Sequence, residues 1–215
     1  MMNNFLYDLI SSIVTIFVVL NPVAVIPFFQ GLTANGTQAQ RRMIVNRTAV
    51  VVVVILLFFA LIGDGVLTLL GITLHYIMIA GGIYILVFAV KSAVSAGGEQ
   101  LGDQLGSKRR VGLTNAVAEK ISIVPIGTPL LAGPGTIATA MILNDAPSGV
   151  TVTVIAIIVN VLLAWLILRI SSRLLRVVSP SILMILSTVM NILMATIGVA
   201  FLLKGLSAAY GIKFI

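Results

Sequence analysis

Apolar residues along this chain come in long unbroken runs. They show neither the strict alternation of a half-buried strand nor the narrow stripe of a surface helix. Six runs, at roughly 6–30, 43–62, 70–90, 112–143, 150–168 and 182–206, are each near the about 20 residues that a helix needs to cross a bilayer. The second contains "AVVVVVILLFFALI" and the fifth is "VTVTVIAIIVNVLLAWLIL". Val and Ile at this density would suggest strands in a short segment, but at this length without charge the helix reading wins. A membrane barrel would instead show alternating segments of about ten residues. The pattern therefore predicts an all-α integral membrane protein of six transmembrane helices. One polar, Gly-rich stretch, "KSAVSAGGEQLGDQLGSKRRV", interrupts the series and reads as a linker. It divides the chain into three-helix units at 1–91 and 112–215, joined by a cytoplasmic linker at 92–111.

Composition strengthens this picture. Of 215 residues 60% are hydrophobic and 9% charged. A soluble domain carries about 25% charged residues, so too few polar side chains remain to cover a water-facing surface. The formal net charge of +7 raises the question of nucleic acid, and the placement of the positives answers it. Arg41 and Arg42 lie in the first loop, with Arg47 just beyond. Lys91, Lys108, Arg109 and Arg110 lie in the third, with Lys120 nearby, and Arg169, Arg173 and Arg176 in the fifth. The second and fourth loops, "GDGVLTLLG" and "NDAPSG", have none. Basic loops on alternate turns are the positive-inside signature. They put loops one, three and five in the cytoplasm and both termini outside the cell (inner) membrane. Lys204 and Lys213 are the exceptions. The basic balance is topology, not a nucleic-acid surface. With no cysteine there is no disulfide framework, thiolate nucleophile or zinc–thiolate site. "MMNNFLYDLI" lacks a basic n-region, so the first apolar run is expected to remain in the mature protein.

Within the first run, "LNPVAVIPFF" places two prolines five residues apart. Each removes a helix hydrogen bond, at a cost of about 3 kcal/mol in a helix interior. In lipid the freed carbonyl finds no water. The fourth run repeats the device in "PIGTPLLAGPGTIA", with Pro129 and Pro134 spaced like Pro22 and Pro27. Sliding Pro22 onto Pro129 also lays span two on span five. Three spans per half is an odd number, so the halves enter from opposite sides. The expectation is two inverted three-helix repeats with helices 1 and 4 discontinuous. Transporters of this plan hold their substrate at mid-membrane between such helices. Half-helix N-termini offer N–H groups and a positive dipole end, and half-helix C-termini offer carbonyls.

This reading nominates Asn21, Pro22, Val23 and Ala24 at the first break, and Thr128, Gly133, Pro134, Gly135 and Thr136 at the second. Asn21 and Thr128 also suit the role of simple caps. Asn46, Asn160 and Asn191 lie within spans, where amides more often hold helices together. Gly81 and Gly82 suit close helix packing. Asp8, Asp64 and Asp145 fall near outer ends, and His75 near the outer end of span three. Glu119 lies deepest, beside Lys120 as a possible ion partner, and is the candidate for proton coupling. A site of backbone dipoles, Asn, Thr and Gly without a fixed full charge suits a small zwitterion.

These segments resemble the MarC family of six-span membrane proteins, over nearly the whole chain. "NPVAVIPFF" looks like its Asn-Pro element, "VPIGTPLLAGPGTIA" is similar to its Pro-rich fourth-span signature, and "LLGITLHYIMIAGGI" resembles the segment leading into span three. The family includes small neutral amino acid transporters of archaeal type, and other members are named for an antibiotic-resistance locus. The resemblance implies a secondary transporter for glycine, alanine and similar amino acids, with the proton as candidate coupling ion and no other cofactor. Met78 and Thr188 stand where many members have Arg, and Asn191 where many have Gly. A passive channel for small neutral solutes and an exporter of other small molecules are the competing readings. An enzyme is disfavoured: the sequence has no paired carboxylates, His-Glu metal set or thiol.

Overall fold

The computed structural model describes residues 2–96, 115–145, 149–177 and 179–211. The described residues are helical, without strands. We number the elements α1 (Met2–Leu20), α2 (Pro22–Leu32), α3 (Gln38–Leu70), α4 (Leu74–Ala96), α5 (Asn115–Ile121), a π-helical segment (Ser122–Leu131), α6 (Pro134–Asn144), α7 (Gly149–Val177) and α8 (Pro180–Tyr210). Most of the proposed linker lies outside the described residues, and its first residues continue α4.

Among the described residues, five helical stretches are long and apolar enough to cross a membrane: Phe5–Leu32 (counted across its break), Gln38–Leu70, Leu74–Ala93, Gly149–Leu174 and Ser181–Tyr210. The fourth predicted run is instead divided among α5, the π-helical segment and α6. Large apolar side chains such as Val54, Phe58, Leu162, Leu166, Ile185 and Ile192 point out of the bundle, as lipid-facing residues must.

Proline chemistry places the interruptions. The ring of a proline disfavours the α conformation in the residue before it. Val124, before Pro125, and Thr128, before Pro129, are extended (φ −131, ψ 124 and φ −134, ψ 128). Gly133, before Pro134, has ψ 167. Asn21, before Pro22, escapes the other way, into the left-handed region at φ 42, ψ 57. Asn is one of the few residues that tolerate this region. Pro27 is different. It lies inside α2, and Ile26 before it stays helical, fully buried in a cluster with Val23 and Leu183.

This changes the register of the internal match. The breaks correspond when Pro22 is laid on Pro134, not on Pro129. Each of these two prolines is the first residue of an 11-residue helix. Matching prolines by their five-residue spacing therefore pairs a true break with a kink inside the π-helical segment.

The halves interlock. α4 packs along α8 and α3 against α7, while α1 and α2 lie on α7, and the π-helical segment and α6 lie on α3. The α4–α8 contact depends on glycines. A Cβ on Gly82 would stand 2.6 Å from the Gly198 carbonyl oxygen, and one on Gly198 would stand 2.9 Å from that of Gly82. Further along, a Cβ on Gly205 would stand 2.9 Å from the His75 carbonyl oxygen. The expected packing role of Gly82 holds, and Gly81 likewise faces Ala138, 2.5 Å from where its own Cβ would lie. The larger core cluster joins Ile16 and Leu20 of α1, Val25 and Phe29 of α2, Val52 and Leu56 of α3, and Ile157 and Val161 of α7.

Candidate functional site

At the first break Asn21 is buried, 2% exposed, and spends its side chain on two partners. Its Oδ1 accepts the Ala24 N–H at 3.4 Å, and its Nδ2 donates to Asn191 Oδ1 on α8 at 3.0 Å. Asn21 therefore caps α2, as one reading of the sequence held, and also binds across the bundle. The break leaves carbonyls open. Pro22 has no N–H to offer Val18, and the Ala24 N–H turns to the Asn21 carbonyl at 3.2 Å instead of that of Leu20. Pro22 and Val23 are buried, Val23 beside Ile26 and Leu183, and Ala24 is half-buried.

The second break has no side-chain cap on the N–H groups of its helix. Gly133 precedes α6 without any side-chain cap, and Pro134 is the first residue of the helix. The Ile137 N–H is the first to reach back, to the Gly133 carbonyl at 3.0 Å. The N–H groups of Gly135 and Thr136 thus stand at the positive end of α6 with no helical acceptor. Thr136 turns its hydroxyl to the Leu131 carbonyl at 2.8 Å, and Ala132 donates to the Gly127 carbonyl at 2.9 Å. A cleft lies against this break, lined by Gly133, Gly135 and Thr136, by Leu130, by Val19 of α1, by Tyr84, Ile85 and Phe88 of α4, and by Met194 of α8. Its cavity volume is about 20 Å³, close to the room that a single water needs, so a solute enters only if the cleft widens.

Of the sequence candidates, Gly133, Gly135 and Thr136 come together in this cleft, and Val19 brings the end of α1 to it. Pro134 is exposed. Thr128 turns away, its hydroxyl donating to the Ile123 carbonyl at 3.3 Å. Gly135 is less open than its sequence suggests. A Cβ there would meet Ile85 Cγ1 at 2.7 Å, so this glycine admits α4 as well as forming part of the cleft. The apolar wall of Val19, Ile85, Phe88 and Met194 carried no signal in sequence beyond that of any spanning helix.

Glu119 lies away from the cleft. It forms an ion pair with Arg47 of α3, not with Lys120, and both side chains are about half exposed, at 54% and 45%. Next to it, Thr48 donates to the Ser122 carbonyl at 3.0 Å. Arg41 donates to the Thr33 carbonyl, to Gln30 and to Ser172, and Gln30 donates to Ser171 at 2.7 Å. These bonds tie Arg41, at the start of α3, to the end of α2 and to Ser172 of α7. The other amides hold helices together: Trp165 donates to Asn46 at 2.7 Å, and Asn160 donates to the Ile13 carbonyl at 3.0 Å. His75 is half-buried and bonded to Thr73, and no group of three or more potential metal ligands occurs among the described residues.

The profile of the MarC family, described as MarC family integral membrane protein, matches residues 6–210. The UPF0056 membrane protein YhcE of Escherichia coli (strain K12) is 31% identical over 199 residues, covering 91% of this chain and 90% of its own length. The UPF0056 membrane protein of Buchnera aphidicola subsp. Baizongia pistaciae (strain Bp) is 27% identical, covering 93% of each chain. The UPF0056 membrane protein YvbG of Bacillus subtilis (strain 168) is 26% identical, covering 94% of this chain and 95% of its own. No solved structure matches the chain.

Proposed function

Since the chain belongs to the MarC family of integral membrane proteins, we propose that it is a secondary transporter of small neutral amino acids of the glycine and alanine type. It works by alternating access in the cell (inner) membrane. In this reading six spans form two inverted repeats, the fourth span being α5, the π-helical segment and α6 together. Both termini are outside.

The observation that carries the reading is the pair of 11-residue helices, α2 and α6, each opened by proline after an interrupted turn, with a small cleft beside the second. Free N–H groups of Gly135 and Thr136 suit a carboxylate, and the open carbonyls of Val18 and Leu20 suit an ammonium. No fixed full charge lines the cleft, which favours a net-neutral solute. The exchange of contacts between halves supports the inverted repeat, because each broken helix lies on the middle helix of the other half. The proton is the candidate coupling ion and Glu119 the candidate carboxylate. No other cofactor and no covalent chemistry are part of the proposal.

Counterflow of labelled glycine into proteoliposomes, with and without a pH gradient, tests it. The expected result is saturable exchange that unlabelled alanine competes away. Flux that does not saturate and shows no counterflow would replace the transporter with a channel. The absence of any amino acid flux would overturn the substrate class.

A further inference from the structure

The cleft lies on a seam. On one side α4 and α8 pack closely along each other, at Gly82, Gly198 and Gly205, where a Cβ would meet the facing backbone. On the other side are the broken helices: Val19 from α1, and Gly133, Gly135 and Thr136 from the second break. The Asn21–Asn191 hydrogen bond crosses this seam, joining residues 170 apart in sequence. It is placed close to the cleft, since Asn191 is one turn from Met194 and Asn21 two residues from Val19, and both Met194 and Val19 line it. Asn191 is 2% exposed, yet its Nδ2 has no hydrogen-bond partner among the described residues. A buried donor without an acceptor is unfavourable, so this conformation holds one polar valence that another arrangement would satisfy.

We propose that Asn191 is a positioning residue that latches the α4–α8 pair to the first helix break, and that the latch parts when the cleft opens. Its Oδ1 fixes the Asn21 amide and with it the left-handed turn that starts α2. Its free Nδ2–H takes a water as acceptor when the seam widens. The proposal deepens the transporter reading and rests on it for the identity of the solute. The latch itself is a property of the closed seam.

The chain has no cysteine, so Met194→Cys gives a single reporter inside the cleft. Labelling of this variant by a small maleimide in nanodiscs is compared with Asn191→Leu, which keeps the volume without the amide, and Asn21→Gly, which keeps the left-handed turn without the side chain. Both should label faster, on the order of tenfold, the shift in equilibrium of one net buried hydrogen bond. The double variant should label no faster than either single one, because both remove the same bond. Unchanged rates in proteins that retain the wild-type melting temperature would overturn the latch. So would additive increases in the double variant, which would mark two independent packing defects. Glycine added to Met194→Cys separates the two readings. Protection supports an amino acid site at the seam, whereas accelerated labelling in the variants with no glycine effect keeps the latch and removes the amino acid.

Discussion

The two helix breaks do the same geometric job by opposite means. The first is a single residue, Asn21, whose left-handed turn is fixed by side-chain amides and sealed by Pro22, Val23 and Leu183. The second spreads over Val124, Thr128 and Ala132–Gly133, has no side-chain cap, and leaves a cleft. A side-chain cap fills the space that it stabilises. A break without such a cap leaves that space empty, with N–H groups at its edge. In the proposed transporter the second break is therefore the one that would receive a solute, and the first the one that would be held and released.

This contrast predicts unequal responses to substitution. The largest effect is expected at Asn21→Val. A β-branched residue in the left-handed region costs about 1–2 kcal/mol, and the lost amide pair about another 1–3. Thermal unfolding in detergent should show a clear drop in Tm, most of it restored in Asn21→Gly. If Val and Gly behave alike, the left-handed turn is not what the asparagine secures.

Next comes Gly135→Ala. Its Cβ would lie 2.7 Å from Ile85 Cγ1, an overpacking that costs typically about 1–3 kcal/mol. Ile85→Ala in the same chain should recover a large part of the loss. A Gly135→Ala variant as stable as wild type would mean that this glycine serves the cleft alone, which would sharpen the contrast between the breaks.

The smallest effect is expected at Glu119→Gln. A half-exposed ion pair is worth about 0–1 kcal/mol, so Tm should hardly move. If Glu119 carries the coupling proton, transport by this variant should lose its dependence on the pH gradient while glycine exchange persists. Wild-type gradient dependence would remove the carboxylate from the mechanism.

Much of this architecture was legible in advance because it rests on local chemistry. Long runs of Val, Ile and Leu without charge leave lipid as the only suitable surroundings, and backbone hydrogen bonding then requires helices. Four interruptions fall at residues before prolines, where ring sterics act on the adjacent residue whatever the surroundings. Gly133, Gly135 and Thr136 were nominated because a helix broken at proline frees backbone N–H groups, and they line the cleft. Pro27 was misread as part of a break, because what keeps α2 intact is the burial of Ile26 and Phe29 among distant residues.

What only the tertiary structure decided is which groups meet. The sequence by itself determined a helical membrane protein, interruptions at Pro22 and Pro134, and backbone groups freed there. It carried no statement that Asn21 would find Asn191, that Glu119 would choose Arg47 over its neighbour Lys120, or that Val19 and Met194 would wall the cleft. Covalent geometry and proline sterics reach one or two residues along the chain. Pairings between amides, charges and small residues are selected only when helices far apart in sequence pack at contact distance, so they follow from the fold as a whole.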